Sequence, residues 1–432
     1  MEWLEANARL TRRQWLGGAA ALGAAAALPA WAQAAETWPS VRRLMARYVD
    51  ERKVSGMVAA FGFGGAAPEV IAVGADSFTA PRPSDARSIY RIYSMTKPIT
   101  GMAAMMLIDE GKLGLDQPLH EILPQFAAMQ VQKVYDGPIT ADNLEPAARP
   151  ITIRQLLTHT AGLGYGVIQT GPIAAAFRAA GAMPGQFTRL QALIPSLAGV
   201  PAPSLELFAD RVAELPLVYQ PGTRWSYSMG LDVIGRVIEV VSGQPFDAFL
   251  QERLFDPLGM SDTHFQVPRD KADRLTTSYF VADGRVLPID LGASSIYLDK
   301  PAFPFGGAGL ASTPRDYDRF LAMLAGYGAL DGTRVMSEAA VRLGTSDLLP
   351  DTLLPGGGYD GGWGFGAGGR VGKGADAGIY GWAGAAGTFG FVHLPLGLRA
   401  GLYTQYLPVT AYPLSEEFPA AARADLAAMA PA

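Results

Sequence analysis

The stretch Tyr90-Arg91-Ile92-Tyr93-Ser94-Met95-Thr96-Lys97-Pro98-Ile99-Thr100 decides how this chain is read. Ile99, Met102, Ala103, Met106 and Leu107 follow with helical spacing. Pro98 lacks an N–H and is tolerated only in a first turn, where that donor is unpaired anyway. A helix therefore starts near Ser94, and Ser94 and Lys97 share one face of its first turn. A serine hydroxyl is a weak nucleophile that needs a base within hydrogen-bond reach. A lysine amine can take part when burial or a neighbouring cation lowers its pKa. The helix N-terminus adds N–H groups and partial positive charge that stabilise a developing oxyanion. A serine and a lysine in an ordinary first turn look the same, so the rest of the chain must supply the partners.

Composition narrows the classes. The chain has 432 residues, enough for one large domain or two smaller ones sharing a site. It is 49% hydrophobic and 17% charged, with 51 Gly and 32 Pro, which suits a loop-rich globular enzyme. A net charge of -5 gives no basic excess, so nucleic acid is not an expected partner. With no cysteine, thiol catalysis and disulfides are excluded. His120, His159, His264 and His393 have no metal-ligand spacing and read as capping or packing residues. No metal is expected.

The N-terminus carries a targeting pattern. Thr11-Arg12-Arg13-Gln14-Trp15-Leu16 is a twin-arginine sequence, followed by the Ala-rich run Gly17 to Leu28. Ala30-Trp31-Ala32 and Ala32-Gln33-Ala34 are both A-x-A sites. Residues 1–34 are expected to be a twin-arginine signal peptide, leaving a periplasmic or secreted protein that starts near Gln33 or Ala35. No stable membrane span is expected after cleavage.

Further along, residues 37–50 have an amphipathic helical pattern, and Met57 to Phe63 and Glu69 to Val73 read as a hairpin. A mostly helical middle follows. It includes Ile153 to His159 with Thr152 as N-cap, then Leu205 to Leu215, Leu231 to Ser242 and Phe246 to Leu254. Residues 165–203 have weak periodicity and read as loop with short helical pieces, a candidate lid. Thr277 to Ile289 forms a hairpin around Asp283-Gly284. Pro314 to Leu324 is a helix, Thr388 to His393 and Leu398 to Tyr403 are strands, and Ser415 to Met429 is the last helix. This order predicts an α+β fold. An antiparallel sheet flanked by helices comes from residues 36–93 and 276–430, and a helical domain from residues 94–275 is inserted. The site is expected at their junction.

Gly364-Phe365-Gly366-Ala367-Gly368-Gly369 satisfies G-x-G-x-x-G, but no apolar strand is read before it and no helix after it, so nucleotide binding is not expected. Trp225-Ser226-Tyr227-Ser228-Met229-Gly230 precedes a helix and could bring the Tyr227 phenol to Ser94 as a general base. Tyr380-Gly381-Trp382-Ala383-Gly384-Ala385 is rich in small residues and leads into a strand. A free N–H there could complete an oxyanion hole.

Taken together, Ser94-Met95-Thr96-Lys97, Leu156-Leu157-Thr158-His159-Thr160-Ala161-Gly162-Leu163, Trp225-Ser226-Tyr227-Ser228, Pro257-Leu258-Gly259-Met260, Gly306-Gly307-Ala308-Gly309 and Gly381-Trp382-Ala383-Gly384 form a specific series. The chain resembles the serine β-lactamase and penicillin-binding superfamily, in particular class C β-lactamases and family VIII carboxylesterases. The resemblance implies two-step acyl transfer without a cofactor. Ser94 would be the nucleophile, Lys97 and Tyr227 the proton-handling pair, and the N–H groups of Ser94 and Ala385 the oxyanion hole.

Two departures shape the expected substrate. The second motif usually ends in Asn, whereas here Met229 offers no amide. The third is usually Lys-Thr-Gly, whereas Trp382-Ala383-Gly384 has neither cation nor hydroxyl. A substrate carboxylate would forgo a charge-assisted hydrogen bond worth about 1.5–3 kcal/mol. Small neutral esters are therefore expected, against a wall of Tyr93, Tyr165 and Trp382, with Ser228, Met229, Ala383 and Gly384 beside them. A β-lactamase or D-Ala-D-Ala peptidase is the alternative reading, and a penicillin-binding-like module without turnover is the third. Oligomeric state is not legible.

Overall fold

A seven-stranded antiparallel sheet is drawn from both ends of the chain in the computed structural model, which describes residues 37–79, 82–183, 185–191, 199–353 and 362–429. The expected signal peptide lies outside the described residues, as do parts of the candidate lid. The strands are β1 (Gly56–Phe63), β2 (Glu69–Gly74), β3 (Trp363–Phe365), β4 (Arg370–Gly372), β5 (Ile379–Gly384), β6 (Thr388–His393) and β7 (Leu398–Tyr403). Their spatial order is β3-β4-β5-β6-β7-β1-β2. β1 pairs with β7 from Val58 opposite Tyr403 to Phe63 opposite Leu398. It is buried nearly throughout, so it reads as a continuous apolar run rather than an alternating one.

Helices cover both faces. On one lie α1 (Pro39–Asp50) and, from the far end of the chain, the helix Leu414–Met429. α1 buries Val41, Leu44, Met45 and Tyr48, one apolar stripe at helical spacing. Trp38 stacks on Phe61 of β1 with ring centroids 3.6 Å apart. The other face carries the larger core and the helix Pro314–Ala325, capped by the Thr313 side chain.

Between the two ends runs the helical block. Its centre is α2 (Thr96–Asp109), which follows a single 3₁₀ turn at Tyr93–Met95. α2 is buried from Thr96 to Leu107, all the way round, as suits a helix at the middle of a core. It packs on α3 (Gly230–Ser242), which also contacts Ile153–Leu157. Ile153–Leu157 opens with the expected Thr152 cap, in a capping box with Gln155. The architecture is thus the α+β arrangement expected, an antiparallel sheet flanked by helices.

The Gly-rich segment needs correction. A strand, β3, does lead into Gly364–Gly369, and the segment turns back into β4 rather than into a helix. A three-residue strand set among glycines has too little periodicity to be read. The glycines serve close approach. A side chain at Gly101 would strike the Ala367 carbonyl, and one at Gly368, with φ +74°, would strike the Lys97 carbonyl. The turn therefore sits directly against the start of α2. Phe246 to Leu254 also differs from a plain helix. It is α-helical over Phe246–Leu250, widens to a π-turn over Gln251–Phe255, and resumes over Asp256–Leu258.

Candidate active site

Ser94 sits on the 3₁₀ turn at the entrance to α2, and its position depends on an uncommon backbone conformation. Tyr93 just before it has φ +42°, a left-handed value that costs energy for a residue with a side chain. Ser94, Lys97 and Tyr227 are all buried. The Tyr227 hydroxyl donates to Ser94 Oγ at 2.7 Å. Lys97 Nζ donates to the same oxygen at 3.3 Å and to the Gly307 carbonyl at 2.7 Å. The lysine nitrogen also lies 4.4 Å from the centroid of the Tyr227 ring. The three residues that the sequence singled out for proton transfer and attack thus meet at one oxygen.

Tyr227 is held from two directions. Its loop is tied to the segment around His159: Ser226 N–H donates to the His159 carbonyl at 2.9 Å, and Ser228 N–H donates to His159 Nδ1 at 3.2 Å. The His159 ring packs 4.7 Å from the Tyr227 ring. Burial, with Lys97 nearby, pushes its pKa well below the usual histidine value, so it stays neutral and Nδ1 can accept. From the sheet side, Trp382 Nε1–H donates to the Tyr227 oxygen at 3.2 Å.

The other expected residues divide. Tyr165 packs edge-on to Tyr227 with ring centroids 5.5 Å apart, and the Trp382 ring lies 5.9 Å from that of Tyr227. Burial raises the Tyr165 phenol well above its ordinary value, so it stays protonated. Tyr93 faces elsewhere and stacks on Phe187, 5.3 Å away, within the stretch read as a lid. Ser228 and Met229 are buried. Ser228 Oγ accepts from Gly230 N–H at 3.3 Å and lies 3.0 Å from His159 Nδ1, while Met229 caps α3. Ala383 and Gly384 end β5. A side chain at Gly384 would strike the Ile92 carbonyl, so the strand end presses on the backbone just before Ser94. Ala385 follows and packs with Tyr93 and Ala308, close to the same turn.

Asp232 was missed by the motif reading. It lies in the first turn of α3, is buried, and accepts Gly307 N–H on Oδ1 at 2.8 Å. Burial raises its pKa to about 6, against the pull of Lys97 and of that N–H. Gly307 therefore links two charged groups: its carbonyl takes Lys97 and its N–H serves Asp232. A β-carbon on Gly307 would fall 2.6 Å from Asp232 Oδ2. The available signal was a carboxylate near the start of the largely apolar helix that begins at Leu231.

Among the described residues no group of three histidine and acidic side chains is placed to hold a metal ion. No helix among them is long and apolar enough to cross a membrane.

Comparison with known proteins adds the family. A family model described as Beta-lactamase matches residues 41–418. The chain belongs to that family. This β-lactamase-family chain is 32% identical to Esterase EstB of Burkholderia gladioli over 379 residues, 82% of this chain and 86% of EstB. It is 38% identical to the uncharacterized protein MT1414 of Mycobacterium tuberculosis over 283 residues, and so spans 65% of that relative's length. Among solved structures, EstCE1, described as a hydrolase with promiscuous acyltransferase activity, matches with a TM-score of 0.70. It shares 25% identity, with 90% of this chain and 97% of EstCE1 covered. The resemblance read from the motifs and the fold expected from them both hold for this family member.

Proposed function

We propose that this protein is a serine hydrolase acting through a Ser94 acyl-enzyme, most active on small neutral carboxylic esters. The observation that carries the reading is the meeting of Tyr227 Oη, Lys97 Nζ and Ser94 Oγ. In the first step Ser94 Oγ attacks the ester carbonyl carbon. Its proton passes to the Tyr227–Lys97 pair and then to the departing alkoxide, which leaves as the alcohol. The N–H groups of Ser94 and Ala385 hold the tetrahedral oxyanion. In the second step water enters, the pair takes its proton, and collapse releases the acid and restores Ser94. The esterase and acyltransferase descriptions of EstB and EstCE1 support this chemistry.

Preference for neutral substrates follows from the third motif. Trp382 fills the place of a cation, and its N–H is engaged with Tyr227. A β-lactam carboxylate therefore lacks the partner that a lysine there would give. Export through the twin-arginine pathway, with the mature chain starting near Gln33 or Ala35, completes the proposal. Intact mass of the periplasmic form would test that start.

The experiment for the activity mixes the protein separately with p-nitrophenyl butyrate and with a cephalosporin, beside Ser94→Ala. The expected result is nitrophenol release and a butyryl adduct that both vanish in Ser94→Ala, with slow or no cephalosporin loss. Full ester turnover by Ser94→Ala would overturn the mechanism. Rapid cephalosporin turnover would overturn the substrate class.

A further inference from the structure

One buried carboxylate at the site has no part in the acyl-transfer steps. Asp232 lies in the first turn of α3, and Lys97 lies in the first turn of α2. Both are buried, and the Gly307 residue stands between them. Its carbonyl accepts from Lys97 Nζ at 2.7 Å, and its N–H donates to Asp232 Oδ1 at 2.8 Å.

The loop that carries Gly307 is pinned from both helices. On the α2 side, Thr100 Oγ1 donates to the Gly306 carbonyl at 2.7 Å, and Thr96 Oγ1 accepts from Leu310 N–H at 3.1 Å. On the α3 side, a β-carbon at Gly306 would fall 2.5 Å from the Leu231 carbonyl, and one at Gly307 would fall 2.6 Å from Asp232 Oδ2. Glycine at both positions lets the loop backbone reach the carboxylate.

Charge gives this contact a use. A buried ammonium or carboxylate is costly unless an opposite charge compensates it. The two acceptors of Lys97 Nζ, Ser94 Oγ and the Gly307 carbonyl, are neutral. Asp232 Oδ2 is buried and accepts from no described residue. The two charges attract each other across Gly307. The titratable groups around them add no further charge: Tyr165, which faces Asp232, stays protonated and His159, which faces Lys97, stays neutral, both through burial. Tyr227 lies beside Lys97 as the other half of the proton-handling pair. The loop residues Gly306-Gly307-Ala308-Gly309 carry no side chain that titrates.

We propose that Asp232 is a positioning residue for the acyl-transfer reaction: it supplies the counter-charge of Lys97 and fixes the Gly307 carbonyl that aims the amine at Ser94. This rests on the hydrolase reading and adds to it the group that sets how tightly the Lys97–Tyr227 pair holds its proton. A negative charge beside the pair makes that proton harder to remove, so activity that needs a deprotonated pair rises at higher pH.

The test measures kcat and KM on p-nitrophenyl butyrate from mildly acidic to alkaline pH for the parent, Asp232→Asn and Asp232→Ala. Asn keeps an oxygen for Gly307 N–H and removes the charge. The rising limb of kcat should therefore move about one pH unit lower. Ala removes the oxygen as well. Its limb should move likewise, and its plateau kcat should fall about tenfold below that of the Asn variant, the effect of losing one strong hydrogen bond, with a smaller change in KM. Circular dichroism confirms that each variant is folded, and Asp232→Ser, which also removes the charge, stands in for either that is not. A limb that stays in place while kcat falls would reduce Asp232 to structural support and overturn the counter-charge. Equal plateaus for Asn and Ala would overturn the positioning of Gly307. Absence of any Ser94-dependent turnover would overturn the hydrolase reading and this inference with it, whereas Ser94-dependent turnover with an unmoved limb would overturn this inference alone.

Discussion

Trp382 donates its indole N–H to the phenol oxygen of Tyr227 at 3.2 Å, while that same hydroxyl reaches Ser94 Oγ at 2.7 Å. The indole thus opposes the serine across one oxygen. In the proposed mechanism Tyr227 gives up its proton during turnover; this N–H would then donate to a charged acceptor, and such bonds contribute about 1.5–3 kcal/mol. Trp382→Phe keeps the aromatic wall and deletes the donor. The expected result is a fall in kcat of roughly ten- to a hundredfold on p-nitrophenyl butyrate with little change in KM. A matching rise in KM with unchanged kcat would show that Trp382 only shapes the pocket.

Asp232 ties the site to pH. Its pKa is raised to about 6 in the folded protein by burial, against about 3.9 for an unfolded aspartate. Between these values the native state holds more protons than the unfolded one. Stability therefore falls as pH rises from about 4 to 6, by up to about 3 kcal/mol, and stays reduced above that. Asp232→Asn keeps an amide oxygen for Gly307 N–H and removes the charge. Its melting temperature should lose that part of the pH slope, matching the parent near pH 4 and exceeding it at pH 7. Melting curves across that range decide it. A variant that is less stable than the parent at pH 7 would mean that the carboxylate's attraction to Lys97 outweighs its burial cost.

How much of this was legible depends on how each feature is encoded. Ser94, Lys97 and Tyr227 were singled out by the order of the motifs: alone, a serine and lysine in a first turn and a tyrosine before a helix have commoner packing readings. The edges Thr388–His393 and Leu398–Tyr403 were read to the residue, since they are apolar runs ended by Pro395 or Gly397 and by a polar pair. β3 and β4 escaped because each is three residues long and flanked by glycine, so their pairing is set by the sheet and not by local pattern. Asp232 escaped for a different reason. Its partner is the backbone of Gly307, distant in sequence, and a backbone hydrogen bond leaves no trace in the partner's side chain. His159 read correctly as a packing residue, but its hold on Ser228 could be seen only once both loops were placed.

Gly307→Ala probes that backbone link. The new methyl would lie 2.6 Å from Asp232 Oδ2 and 3.1 Å from its Cγ, so the carboxylate or the loop must move. Overpacking in a buried position costs about 1–3 kcal/mol. Because the Gly307 carbonyl also accepts from Lys97, activity should fall along with stability. Combining Gly307→Ala with Asp232→Ala removes the colliding group. The double variant should therefore lose less stability than the sum of the single losses, a coupling measured by urea unfolding of all four proteins. Strict additivity would place the strain elsewhere in the loop.

The turn that presents Ser94 also rests on a buried ion pair. Arg91, fully buried, donates from Nε to Asp290 Oδ2 at 2.8 Å, from Nη1 to the Thr276 carbonyl at 2.7 Å, and from Nη2 to Ser295 Oγ at 2.9 Å. It thereby fastens the strand before Tyr93 to the hairpin Ser278–Ala282 and Arg285–Asp290. Arg91→Ala leaves the Asp290 carboxylate buried without its cation, which costs about 3–5 kcal/mol. Most of that cost comes from the stranded charge and not from the lost attraction. Adding Asp290→Ala should then recover a large part of the loss, although the pair is still missing. Urea midpoints of the single and double variants test this directly. Esterase assays on the recovered double variant add a second reading: if Arg91 matters by holding the left-handed turn at Tyr93, activity stays low even after stability returns.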